Sequence, residues 1–217
     1  DMKLAGAVAY GDYKKTINDS SILKIALEYT KTFGGRVISF CQDEFLSQNG
    51  VINESIVSTE LGLKGIPDIS ESINIYRDIQ ILSYTNGKLH IPYVNTKRGV
   101  ELIRDAKKRN LDITASTSLA HLIFSDKDIN EFNTNLKLNP PLRSEIDCKS
   151  VKEGLIDGTI DYLTSMHEPL DIDNKKVVFD LATPGSIGLE SVFGNMCNNF
   201  TLEKTIDILT RNKSIFE

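Results

Sequence analysis

The stretch Lys88–Thr117, KLHIPYVNTKRGVELIRDAKKRNLDITAST, decides the fold class. Lys88–Val94 is a short apolar run that reads as a strand, with Pro92 marking its end. Thr96–Arg109 follows with Val100, Ile103 and Ala106 at helical spacing, and Asp112–Thr117 reads as the next strand. A strand, a helix and a strand joined this way place the two strands parallel, which is the signature of an α/β fold.

The same alternation extends outward. Upstream, Ala5–Tyr10 reads as a buried strand of small residues. Ser20 or Ser21 is positioned to cap a helix whose Ile22, Ile25, Ala26 and Tyr29 share a face. Gly34-Gly35 ends that helix, and Arg36–Cys41 is another strand. After a loop containing Gly50, Pro67-Asp68 starts a helix running to about Tyr84, with Ile69, Ile73, Tyr76, Ile79 and Leu82 spaced along it. Asn86-Gly87 is a turn. Downstream, Asn139-Pro140-Pro141 is a rigid turn. Ser144–Asp157 is a helix closed by Gly158, and Ile160–Thr164 is a strand. Helices near Leu189–Cys197 and Leu202–Leu209 follow. No glycine-rich phosphate loop follows the first strand, so a dinucleotide-binding fold lacks its fingerprint. A barrel is the better reading, and barrels carry their chemistry at the carboxyl ends of the strands.

Composition narrows the function classes. Of 217 residues, 25 are Lys or Arg and 30 are Asp or Glu, a formal net charge of −5, with no basic run. That is a poor electrostatic footprint for nucleic acid. No apolar stretch approaches the roughly 18 residues of a membrane span. Three widely spaced cysteines, Cys41, Cys148 and Cys197, with no CxxC pair, argue against a disulfide framework and a structural zinc site. Charge and cysteine usage together read as cytoplasmic. The opening Asp1-Met2-Lys3, with no initiator Met at position 1, reads as a chain truncated on its N-terminal side.

Several separated motifs resemble one family. Lys137–Arg143 (KLNPPLR), Glu153–Asp161 (EGLIDGTID), His167 and Gly188-Leu189-Glu190 are similar to the carboxyl half of dihydroorotases. So are Leu61–Pro67 (LGLKGIP), Arg77-Asp78 and Leu102–Lys107 (LIRDAK). The resemblance implies a (β/α)8 TIM-type barrel of the metal-dependent amidohydrolase kind, incomplete here, with about the third to eighth strands present if the short piece before NPPLR is counted. Residues 1–217 are expected to form a single partial barrel domain, with 188–217 as C-terminal helices. The implied activity is the interconversion of N-carbamoyl-aspartate and dihydroorotate in pyrimidine biosynthesis. An amide is a poor electrophile and water a poor nucleophile. Zinc held by His and carboxylate answers both needs, and a neighbouring carboxylate moves the proton.

Carried over residue by residue, the motifs have lost most of that chemistry. The family's His-Cys-Glu-Asp reads Phe40-Cys41-Gln42-Asp43, which keeps Asp43 as the one retained metal ligand. The His-Ile-x-His-Val-Ser-Thr strand reads His90-Ile91-Pro92-Tyr93-Val94-Asn95-Thr96, with Tyr93 at the ligand position. The Thr-Pro-His-His-Leu motif reads Ser118-Leu119-Ala120-His121-Leu122, with Ala120 at the ligand position. The Thr-Asp-His-Ala-Pro-His motif reads Ser165-Met166-His167-Glu168-Pro169-Leu170, so Met166 replaces the Asp that is ligand and base. Tyr, Ala and Met do not make a catalytic zinc site. The family's His-x-His pair lies upstream of Asp1. No cofactor is therefore expected in this chain, although zinc serves the parent family.

Asn139, Arg143 and His167 are the substrate-side candidates. Each also has a plain structural reading. Asp43 can cap a helix, Arg143 and Asn139 can anchor the proline turn, and His90 and His121 can be packed histidines. A rearranged metal site from Asp43, His121, His167 and Glu168 is a further option, as is a pocket for a small anion built on Arg143 and His167. The leading function is a dihydroorotase-family protein with impaired catalysis. The alternative is a non-catalytic scaffold that forms homo-oligomers or partners an aspartate transcarbamoylase, with no nucleic-acid or membrane partner.

Overall fold

The computed structural model describes residues 1–211. Its elements are β1 (Ala9–Gly11), α1 (Ser20–Lys31), β2 (Arg36–Ile38), α2 (Glu44–Ser47), β3 (Ile52–Asn53), α3 (Ile56–Leu61), β4 (Gly65–Ile66) and α4 (Ile69–Thr85). There follow β5 (Leu89–Ile91), α5 (Lys97–Lys108), β6 (Ile113–Ser118), α6 (Leu119–Ile123), α7 (Glu145–Asp157), β7 (Tyr162–Thr164), α8 (Val192–Asn199) and α9 (Leu202–Thr210). Five strands form one sheet in the order β1-β2-β5-β6-β7, every neighbouring pair parallel. β3 and β4 form a separate parallel pair.

Side chains alternate across the sheet, as a pleated backbone requires. On one face Val37, Leu89, Ile91, Ile113, Ala115 and Leu163 join Leu23, Leu27, Ile75, Ile79, Leu82, Val100, Ile103, Val151 and Leu155 of the helices in one core. The helices α1, α4, α5 and α7 stand in a row over that face, each packed on the next. A fully buried Leu or Ile in this layer contributes about 1.5–3 kcal/mol. The other face carries Ile38, His90, Ser116, Tyr162 and Thr164, which line a cavity.

The helix ends follow from local chemistry. The Asp19 carboxylate accepts from Ser21 N at 2.7 Å, and Thr96 Oγ1 accepts from Gly99 N at 3.0 Å. Ser144 and Asp147 form a reciprocal capping box at the start of α7, and Gly158 (φ 82°) ends it in the left-handed region. The proline turn contains a cis Asn139-Pro140 bond.

Five expectations are corrected. Residues 1–7 form a turn, with Ala5 N bonded to Asp1 O and Ala7 N to Met2 O, so the strand read at Ala5 starts only at Ala9. These small side chains offer too little apolar area to hold an edge segment in the core. The α1 cap is Asp19, not Ser20 or Ser21. On α1 the buried residues are Leu23, Leu27 and Thr30, while Ile22, Ile25 and Tyr29 face outward. Both sets have helical spacing, so periodicity could not choose between them. The same holds on α4, where Ile75, Ile79 and Leu82 are buried and Ile69, Ile73 and Tyr76 are exposed. Finally, the short piece before the proline turn is a 3-10 turn at Thr134–Leu136, whereas the region read as a loop around Gly50 contains the β3–β4 pair. The helical region expected over 188–217 is seen to residue 211, and 212–217 lie outside the described residues.

Candidate active site

The carboxyl ends of the strands bring the expected positions to one end of the sheet. Tyr93 follows β5, Ser118 ends β6 ahead of Ala120, and Met166 follows β7. Tyr93 (φ 57°) and Met166 (φ 48°) both hold left-handed backbone conformations. Non-glycine residues adopt that region sparingly, and it concentrates where a fold aims side chains at a site. Met166 is buried among Ile52, Ile129, Leu138, Leu142 and Phe179. Ala120 packs at the edge of the same cluster. Asp43 is the N-cap of α2. Its Oδ1 accepts from Phe45 N at 3.0 Å and Leu46 N at 2.9 Å.

A charged cluster stands among these positions. Lys14, just past β1, pairs with Glu168 at 2.6 Å, and its ammonium lies 5.3 Å from the Tyr93 ring centroid. The Tyr13 hydroxyl donates to the other Glu168 oxygen. That bond, with burial and the Glu168 charge, pushes the Tyr13 phenol well above its ordinary value. Burial lowers the Lys14 ammonium, and the bond to Glu168 opposes that shift. Two members of this cluster line cavities, Tyr13 one and Glu168 another. One, of about 370 Å³, is bounded by Tyr13 and Tyr93, and the other, of about 470 Å³, by Ala120, Ser165, Glu168 and Gly188.

The histidines are held by specific partners. His121 is buried, with Nδ1 on Ser118 Oγ at 2.7 Å and Nε2 on Pro140 O at 3.0 Å. Burial lowers its pKa to about 4. His90 sits on the cavity face, with Nδ1 2.9 Å from Thr114 Oγ1 and Nε2 3.1 Å from Ser116 Oγ and 2.9 Å from Tyr162 OH. Burial, with the positive charges of Arg36 and Lys107, takes it down to about 3. His167 is exposed, and its Nδ1 accepts from Gly188 N at 3.3 Å and Leu189 N at 3.4 Å, tying down the 186–189 loop. Asn139 is half-buried at the start of the proline turn.

Arg143 lies in the interior. Its Nη1 donates to Ile66 O at 2.7 Å and Asn53 Oδ1 at 2.9 Å, and Asn95 Nδ2 donates to Pro141 O at 2.9 Å. Asn53 Nδ2 donates in turn to Asp126 at 2.7 Å. Beside this network the buried Glu71 accepts from Thr96 Oγ1 at 2.8 Å and from the amides of Asn95 and Thr96. Burial pushes Glu71 up to about 7, with the Arg143 charge opposing the shift. The network clamps the proline turn to β4 and to the end of β5. Sequence reading missed Tyr13, Lys14, Asn53 and Glu71. The signal that could have found the first two is their place directly after β1.

Comparison with known proteins fits this geometry. A dihydroorotase from Acetivibrio thermocellus is 46% identical over 191 residues, covering 88% of this chain and 45% of the relative. A dihydroorotase from Endomicrobium trichonymphae is 42% identical, covering 97% of this chain and 51% of the relative. The chain belongs to the dihydroorotase family. It spans about half the length of the curated relatives it matches. No protein-family model matches it. Among solved structures, the L-hydantoinase (dihydropyrimidinase) from Arthrobacter aurescens superposes with a TM-score of 0.83 at 19% identity, covering 99% of this chain and 52% of that one. That likeness identifies the parallel sheet and its helices as part of a (β/α) barrel.

Dihydroorotases are zinc-dependent amidohydrolases. The residues of this dihydroorotase-family chain do not fit a zinc ion. Tyr93, Ala120 and Met166 offer no imidazole or carboxylate, and the Asp43 carboxylate is turned onto backbone amides. Nor are Asp43, His121, His167 and Glu168 gathered into a substitute. Among the described residues no three His, Cys, Asp or Glu side chains form a group that could hold a metal. No helix among the described residues is long and apolar enough to cross a membrane.

Proposed function

We propose that this chain is a single partial barrel domain of a cytoplasmic dihydroorotase-family protein in which hydrolysis of the cyclic amide is impaired. The parent reaction, between dihydroorotate and N-carbamoyl-aspartate, needs an activated water and a polarised carbonyl. The observation that carries the reading is what stands among the family's ligand positions. Tyr93, Ala120 and Met166 line up with no metal donor, and the Lys14–Glu168 pair supplies an internal cation and its counter-charge at that end of the sheet. A second cation there would meet an ammonium instead of a ligand.

A scaffold role follows for a barrel that keeps its packing and loses its chemistry. The partner is a second copy or an aspartate transcarbamoylase-type enzyme. The test is metal analysis and a dihydroorotate hydrolysis assay on the full-length protein, with its mass in solution measured alone and with an aspartate transcarbamoylase. Zinc well below one per chain, no turnover and a stable oligomer or complex are expected. Stoichiometric zinc with turnover would overturn the reading.

A further inference from the structure

The outward face of α4 is unlike that of a solvated helix. Ile69, Ile73, Tyr76, Gln80 and Tyr84 follow one another at near-helical spacing and all are exposed, Ile73 by 43% and Tyr84 by 73%. Such spacing makes the narrow seam that one helix presents to another. The three charged residues of α4 are committed elsewhere. Glu71 and Asp78 are buried, and Arg77 pairs with Asp78 at 2.7 Å and donates to Asn18 O, just ahead of α1, at 3.2 Å. The neighbouring α5, by contrast, exposes Lys97, Arg98, Asp105 and Lys108. We propose that the outward face of α4 is the surface on which a second copy of this chain docks, the two α4 helices crossing at a two-fold axis.

Three observations favour a second copy. The first is place. α4 stands inside the helix row, packed on α1 at one side and α5 at the other. A barrel that continues beyond β1 or β7 adds its helices past the ends of that row, so closing the ring leaves the outward face of α4 open. The second is extent. A helix of 17 residues is about 25 Å long, and with neighbouring helices about 9 Å away on each side the face is about 25 by 30 Å. That matches the roughly 800 Å² per partner of a stable interface. A groove of about 270 Å³ between α4 and α5, lined by Ile69, Ile73, Tyr76 and Leu102 with Ser72 and Arg98, gives a partner side chain a place to seat. The third is charge. Across a two-fold axis a face meets itself, so any charge on it meets its own kind. A stripe of Ile, Tyr and Gln avoids that cost, and depletion of charge with enrichment of Tyr is the composition of interface cores. The cations at its rim are neutralised on their own helices. Arg98 pairs with Glu101 at 3.5 Å, and Lys24, 5.7 Å from the Tyr84 ring, pairs with Glu28 at 3.1 Å. The face supplies the second-copy contact of the scaffold role proposed above and rests on that reading. Zinc with turnover would overturn the loss of hydrolysis and leave the face intact, whereas a dimer indifferent to changes on α4 would overturn the face alone.

The test is the mass of the full-length protein in solution, by sedimentation or light scattering over micromolar concentrations. Wild type is expected to be a dimer. Tyr76→Lys, at the middle of the stripe, sets a charge against its own copy and should weaken the dimer about a hundredfold, with the circular dichroism of a folded chain retained. Mixing Tyr76→Lys with Tyr76→Glu should restore a dimer, which a merely misfolded variant could not do. A wild type that stays monomeric, a dimer unchanged in Tyr76→Lys, or a mixture that stays monomeric would overturn the assignment. So would a Tyr76→Lys dimer that is intact but no longer binds an aspartate transcarbamoylase, which would give the face to that enzyme.

Discussion

Replacing Arg143 separates an anchoring residue from a ligand contact. The side chain is 1% exposed, and its Nη1 alone holds Ile66 O at 2.7 Å and Asn53 Oδ1 at 2.9 Å. Arg143→Met keeps most of the apolar stem and removes both charge-assisted bonds. Each such bond contributes about 1.5–3 kcal/mol net, and Asn53 Oδ1 is left without its donor while Ile66 O keeps Glu54 N at 3.1 Å, so the loss is about 3–5 kcal/mol. For a chain of this size each kcal/mol moves Tm by roughly 2–4 °C, which gives a fall of about 10 °C. Arg143→Lys keeps the charge but not the planar fork that reaches both acceptors, so it should lose about half as much. Urea denaturation and thermal unfolding of the full-length variants measure this directly. If Arg143→Met unfolds within about 1 °C of wild type, the clamp on the proline turn is not an important support, and the substrate-side reading of Arg143 returns.

Glu71, buried and titrating near 7 against an ordinary 4.5, predicts a pH effect on stability. Between those values the unfolded chain has released a proton that the native state keeps, so stability falls as pH rises through the window, by about 3 kcal/mol in all. Glu71→Gln should flatten that slope in urea denaturation at pH 5 and pH 8, and an unchanged slope would count against it. Gly99→Ala would drive a methyl group into the Glu71 carboxylate and to 3.0 Å from Ile75 Cδ1. A loss of about 1–3 kcal/mol is expected by denaturant titration, and a neutral result would show that Glu71 can move aside. Asp43→Ala removes the cap on α2 and should cost about 1 kcal/mol, with zinc content in equilibrium dialysis unchanged. A fall in bound zinc would return Asp43 to a metal-binding role.

Much of the fold was legible because its signals are local. The helix over Lys97–Lys108 and the strand at Ile113–Ser118 came from spacing, and Gly158 and Asn86 end helices where left-handed backbone is needed. The face of α1 was not legible, and that of α4 was read correctly only at Ile79 and Leu82. Ile22, Ile25 and Tyr29 have the same spacing as Leu23, Leu27 and Thr30, and only the neighbouring helices decide which set is buried. The short β3–β4 pair, two residues on each strand, is too brief to leave a periodic signal.

The candidate site divides in the same way. The sequence by itself determined that Tyr93, Ala120 and Met166, the positions that the resemblance assigns to the parent family's ligands, carry no imidazole or carboxylate, because residue identity alone settles that. Only the tertiary structure decided what each remaining group does. Asp43 is separated from Phe45 by two residues and serves its own helix, whereas Lys14 and Glu168 are separated by 154 residues and meet at 2.6 Å. A cap is a short-range event that a local reading can anticipate. An ion pair across the mouth of a barrel, or the burial of Arg143 behind Asn53, exists only once the parallel strands have brought distant loops to one end of the sheet.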